Sequence, residues 1–143
     1  MRKFMALGLV VLGACTTQDV DVTSSKARFT SYPTDLLAAF ESACMGPAQT
    51  FSAPGPDLVE CREYLPPEPT AAIILNYDGT PEDLPQLVIR FRTLADTPGF
   101  VVENDVYLNV PQKAGTEIQV RHYDTRLHRT LEELYKRAGG VPE

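Results

Sequence analysis

The sequence predicts an α+β domain: an antiparallel meander sheet of four to five strands, with an N-terminal and a C-terminal helix packed on one of its faces. Three observations carry this. Between residues 59 and 122, short runs of extended pattern follow one another, separated by Pro, Gly, Asp and Asn. After Asp124 the apolar period becomes helical, with Leu127, Leu131, Leu134, Tyr135 and Ala138 on one stripe. A shorter helical face, Leu36, Leu37, Phe40, Ala43 and Cys44, precedes the strands.

In chain order, the first helix is expected over residues 35–44, with Thr34 as N-cap and Asp35 favourably placed against the helix dipole. Gly46-Pro47 ends it, and the Pro, Gly, Ser and Ala residues up to Asp57 read as a loop. Val59–Leu65 alternates as a strand that turns Cys61 toward the first helix and Arg62 and Tyr64 away from it. Ala71–Tyr77 is almost continuously apolar, the pattern of a central strand, and Asp78-Gly79-Thr80-Pro81 breaks it. Gln86–Thr93 puts Leu87, Ile89 and Phe91 inward and Val88, Arg90 and Arg92 outward.

Residues 100–110 fit either one bent strand or two short ones divided at Asn104-Asp105; Val106, Leu108 and Val110 share a face in both cases. Thr116–His122 returns with Ile118 and Val120 inward and Glu117, Gln119 and Arg121 outward. Connections this short favour antiparallel neighbours. The last helix has Asp124 as its N-cap, Glu132 with Lys136 and Glu133 with Arg137 at i,i+4, and Gly139-Gly140 as its stop.

Ahead of this domain stands a different kind of segment. Arg2 and Lys3 precede an apolar run, Phe4 to Leu12, and Leu12-Gly13-Ala14-Cys15 closes it. The layout is that of a secretory signal, and the run is shorter than the roughly 20 residues a membrane-spanning helix needs. Residues 1–15 resemble the signal and lipobox of bacterial lipoproteins. The resemblance implies removal of residues 1–14 and acylation of Cys15 as the first mature residue. Thr16, where an Asp would act as a retention signal, implies sorting to the outer membrane facing the periplasm. Residues 15–31 then read as the lipidated cysteine and a flexible polar tether, and residues 32–143 as a single periplasmic domain. The stretch Thr16–Ser31, fully extended, would reach about 50 Å.

Loss of Arg2 and Lys3 leaves 11 basic against 19 acidic residues, a net charge of −8 for the mature chain. This acidity argues against nucleic acid as a partner. With Cys15 assigned to lipid, Cys44 and Cys61 remain as an even pair in an oxidising compartment, and the expectation is a structural disulfide. The sequence has no Cys-x-x-Cys, so nothing favours a redox-active pair, and the cysteines and histidines lack metal-ligand spacing.

His122 and His128 fall outside an HExxH arrangement, and the chain has no Gly-x-Ser-x-Gly turn, so no catalytic residue, metal or cofactor is expected. His122 is expected to hydrogen-bond near Asp124 and fix the strand-to-helix corner. Asp78, Glu82 and Asp83 cluster in a turn without the spacing of a calcium loop.

The candidate binding face consists of Arg62, Tyr64, Arg90, Arg92, Tyr107 and Arg121, all on the parity turned away from the helices, with Ile74 and Val88 among them. Its plain alternative is a wet sheet face on which the arginines pair across strands with Glu60 and Glu117. The functional expectation is a non-enzymatic, lipid-anchored envelope protein that acts as a binding or scaffolding module. Its partners would be the membrane, through the lipid on Cys15, and an envelope protein or anionic envelope component. A helix followed by a sheet on a lipobox tether looks loosely like small lipoproteins that assist outer-membrane protein assembly, but no shared motif carries a residue across. The alternative is a small-ligand or lipid-binding domain with a pocket between the sheet and the C-terminal helix, which an apolar cavity would favour over a filled core.

Overall fold

Seven strands pair into one antiparallel sheet in the computed structural model, which describes residues 25–143. Residues 1–24, which include the expected signal, Cys15 and the first part of the expected tether, lie outside the described residues. The strands are β1 (Lys26–Phe29), β2 (Gln49–Gly55), β3 (Leu58–Tyr64), β4 (Gln86–Asp96), β5 (Gly99–Val110), β6 (Ile118–Val120) and β7 (Val141–Pro142). The helices are α1 (Thr34–Ala43), α2 (Pro67–Asn76) and α3 (Thr125–Arg137). The sheet runs β2-β3-β4-β5-β1-β7, and β6 pairs with β5 beyond the stretch that β1 occupies. The expected α+β architecture is present, with an antiparallel meander from β2 to β5 and more strands than its pattern announced. Among the described residues no helix is long and apolar enough to cross a membrane.

One face of the sheet carries the main core. Cys61, Phe91, Val102 and Val106 point to it and meet Leu36 and Phe40 from α1 and Leu131 and Tyr135 from α3. Phe91 sits at the centre, edge-on to Phe40 at 4.6 Å and to Tyr135 at 5.8 Å between ring centroids. The Cys44–Cys61 disulfide is formed, with Cα atoms 5.9 Å apart, and fastens the end of α1 to β3. A buried hydrogen-bond cluster ties the start of the domain to the same core: Asn104 Nδ2 donates to Ser25 Oγ at 2.5 Å and to the Tyr135 hydroxyl at 3.0 Å. Burial pushes the Tyr135 phenol well above its ordinary range, against the pull of these hydrogen bonds.

Helix α3 follows the sequence closely. Asp124 Oδ1 accepts the backbone N–H groups of Arg126 and Leu127, satisfying donors the helix cannot. At the other end Gly139 takes φ 83°, its N–H bonds to Lys136 O, and the Gly140 N–H returns to Tyr135 O at 2.8 Å. The chain then enters β7 beside β1. A Cβ on Gly140 would lie 2.4 Å from Cζ of Phe29, so the close approach of the ring requires glycine.

Several expectations need correction. Of residues 71–77, read as a central strand, 71–76 belong to α2 and Tyr77 caps it. Pro67 at its start loses no intrahelical bond, and Thr70, Ile73, Ile74 and Tyr77 fall at helical spacing on its inner side, while Leu75 is 82% exposed. The helix closes with Asp78 at φ 58° and the Gly79 N–H on Ile74 O. The loop expected up to Asp57 contains β2, an edge strand that tolerates Pro54 and a bulge, with Phe51 packed edge-on against Phe40. The tether expected over residues 15–31 includes β1, where Ala27 and Phe29 are buried against β5. Thr34 is the first residue of α1 rather than its cap; Pro33 stands at the cap without a side-chain bond. Residues 100–110 form one strand, and β6 is confined to three residues.

Candidate binding face

The antiparallel register brings the outward side chains of β3, β4 and β5 into rows. Glu60, Arg90 and Asp105 are direct neighbours across the three strands; Arg62, Val88 and Tyr107 form the next row, and Leu58, Arg92 and Glu103 the row on the other side. Lys26 of β1 extends that last row, 2.8 Å from Glu103. Opposite charges therefore face each other across strands, the pairing that stabilises a sheet surface.

Glu60 organises the centre, although it is only 5% exposed. Its Oε1 accepts from Arg62 Nε at 2.6 Å, and its Oε2 accepts from Arg90 Nε and Nη2 at 3.1 and 2.9 Å. Burial alone would raise the Glu60 carboxyl, but the hydrogen bonds from Arg62 and Arg90 outweigh it and hold the group below its ordinary value. The same bond raises the Arg62 guanidinium. Arg90 Nη2 also donates to the Tyr107 hydroxyl at 2.8 Å. Tyr107, itself buried, has a phenol pushed up by that burial. Its ring receives two guanidinium groups, Arg121 at 4.9 Å and Arg90 at 5.5 Å from the centroid. Arg121 in turn makes a bidentate pair with Asp105, at 2.8 and 2.7 Å.

The predicted face is thus assembled in part. Arg62, Arg90, Tyr107 and Arg121 form one network, and Arg92 stands one row away, exposed, with no hydrogen bond or ion pair among the described residues. Tyr64 lies at the far end beside Gln86, 46% exposed and outside the network. Ile74 lies on α2 and not on a strand of the sheet; Val88 is on the face, fully buried. Of the two carboxylates expected to pair with the arginines, Glu60 does so, while Glu117 accepts from Asn109 Nδ2 instead.

An open depression of about 500 Å³ lies over this face, lined by Lys26, Arg90, Arg92 and Arg121 together with Glu103 and Asp105. Lys26, Glu103 and Asp105 were missed in the sequence because the first strand reads as tether and the register of residues 100–110 is open. Alternation of Lys26, Ala27, Arg28 and Phe29 was the available signal.

The core side of the sheet has a second recess. Between α1, α3 and the ends of β3 and β4 lies an apolar groove of about 190 Å³ with the Cys44–Cys61 bridge in its wall. The histidines are elsewhere: His122 Nε2 is 3.0 Å from the Tyr77 hydroxyl, correcting the expected bond near Asp124, and His128 is 3.4 Å from Glu132. Asp78 serves as the left-handed residue after α2. Among the described residues no group of three His, Cys, Asp or Glu is placed to hold a metal ion. Comparison with protein-family models, curated proteins and solved structures finds no match.

Proposed function

We propose that this chain is a non-enzymatic, lipid-anchored protein of the bacterial cell envelope, held through an acylated Cys15 at the outer membrane and facing the periplasm. It acts there as a binding or scaffolding module in outer-membrane assembly or maintenance, and its working surface is the charged face of the sheet. The observation that carries this reading is the charged depression: Lys26, Arg90, Arg92 and Arg121 converge on it against Glu103 and Asp105, a local excess of positive charge in a chain whose net charge is −6. Charge gathered against the overall sign concentrates an oppositely charged partner at one place and orients it. The matching chemistry is a carboxylate- or phosphate-bearing surface of an envelope component, which Arg92 can meet without giving up an internal partner.

The test places a photo-crosslinking residue at Leu94, which lies on the same side of β4 two positions beyond Arg92 and is 40% exposed. Adducts in intact cells that diminish on Arg92→Glu, and on Cys15→Ala, support the reading. Identical adducts in folded Arg92→Glu protein refute the role of this face.

A further inference from the structure

We propose that the groove between α1 and α3 is a binding site for a small amphipathic cation, a molecule with an apolar body of one ring or a short alkyl chain and an amine at its end. The site is independent of the charged sheet face, because it opens on the opposite side of the sheet.

Size and lining define the apolar half of the ligand. The groove holds about 190 Å³, which exceeds the roughly 150 Å³ cavity that accommodates benzene and falls below the roughly 300 Å³ at which drug-sized pockets begin. Leu87 and Ile89 from β4 face Leu127, Leu131 and Leu134 from α3 across it. Leu87, Ile89, Leu127 and Leu134 are only half-buried and leave apolar surface that an occupant would take out of water.

The polar half is defined by one residue. Among the described residues, Glu63 is the only ionisable side chain lining the groove. Its Oε2 accepts from Gln49 Nε2 at 3.1 Å, while Oε1 accepts no hydrogen bond among the described residues. Gln49 is itself committed, since its Oε1 takes the Gly46 N–H at 2.9 Å. The hydroxyl of Thr130, also on the lining, is turned to Arg126 O of its own helix at 3.0 Å. A ligand entering the groove therefore meets apolar walls and a single acceptor with an open lone pair and a negative charge. That combination selects an ammonium over a hydroxyl and rejects a carboxylate. The Cys44–Cys61 bridge fixes the wall formed by the end of α1, so the recess is held open before any ligand arrives.

The experiment uses the full chain carrying Cys15→Ala, so that no attached acyl chain competes for the groove. Benzylamine, toluene and benzoate are titrated while the methyl resonances of Leu127, Leu131 and Leu134 are followed. Saturable shifts with benzylamine, weaker ones with toluene and none with benzoate are expected. Glu63→Gln should weaken benzylamine by about tenfold, the loss of one charge-assisted hydrogen bond, and leave toluene unchanged. Ala43→Trp, at an exposed position on the rim, should block both; Thr130→Trp closes the groove from the opposite helix and serves as a second blocking variant. Methyl resonances unmoved by benzylamine overturn the proposal. So do undiminished binding in both folded blocking variants, or benzoate binding as tight as that of benzylamine.

Discussion

Arg90 lies directly opposite Glu60 in the register of β3 and β4 and donates to its Oε2 from both Nε and Nη2. The carboxylate is nearly buried while the guanidinium keeps contact with solvent, so the pair is held by hydrogen bonding as much as by charge. Arg90→Ala or Glu60→Ala would leave a charge in a place shaped for its partner. Glu60→Gln, which keeps the shape and removes the charge, should cost about 1–3 kcal/mol in urea denaturation; the range is kept low because Arg62 and Arg90 are partly exposed.

The acid limb of the stability profile follows from the same residue. Its carboxyl is held below the ordinary value of 4.5 in the folded chain. Its contribution is therefore complete above the unfolded value and disappears as pH falls through the folded one. Stability measured from pH 6 down to pH 2 should fall less steeply in Glu60→Gln than in the parent chain, and parallel profiles would contradict the assignment.

Tyr107 joins the two halves of the arginine network. Tyr107→Phe keeps the ring under Arg90 and Arg121 but removes the acceptor for Arg90 Nη2, with an expected loss of about 1 kcal/mol. Arg92→Gln, which breaks no hydrogen bond or ion pair among the described residues, should leave the midpoint of thermal unfolding nearly unchanged, whereas Arg92→Glu sets a second carboxylate directly opposite Glu103 and should lower it.

Reduction of Cys44–Cys61, separated by 17 positions, should lower stability by about 3 kcal/mol through the entropy returned to the unfolded chain. A thiol assay on the unreduced domain should find neither cysteine free.

Gly139 and Gly140 fail on substitution for different reasons. Gly139→Ala forces a side chain into the left-handed region, at a cost of about 1 kcal/mol. Gly140→Ala drives a methyl into the Phe29 ring and displaces β7 from β1, an overpacking loss of about 1–3 kcal/mol. Thermal unfolding of the two variants should rank Gly140→Ala as the less stable.

The sequence by itself determined the elements whose signals are local. The stripe from Leu127 to Ala138, the Asp124 cap and the glycine stop specify α3 without help, and alternation from Val59 and from Gln86 specifies β3 and most of β4. It also paired Cys44 with Cys61 and put Arg62, Arg90, Arg92 and Arg121 on one side of the sheet, because parity along a strand is a local property. Where the local signal was double, it misled. The apolar run at 71–77 suits a buried strand as well as a helix face, and only the prolines before it and the exposure of Leu75 separate the two.

Tertiary structure alone decided the rest. Lys26–Phe29 is short, and Gln49–Gly55 is interrupted by Pro54 and Gly55; they become strands because β5 and β3 offer free edges and Tyr135 and Phe40 offer a surface for Phe29 and Phe51 to approach. The register across β3, β4 and β5 then determined which arginine met which carboxylate. Arg62 and Arg90 were drawn to Glu60, Arg121 was drawn to Asp105, and Arg92 was left exposed to solvent. A one-residue slip would have exchanged the two faces of the sheet, so the identity of these partners rests on long-range pairing that no single stretch of sequence encodes.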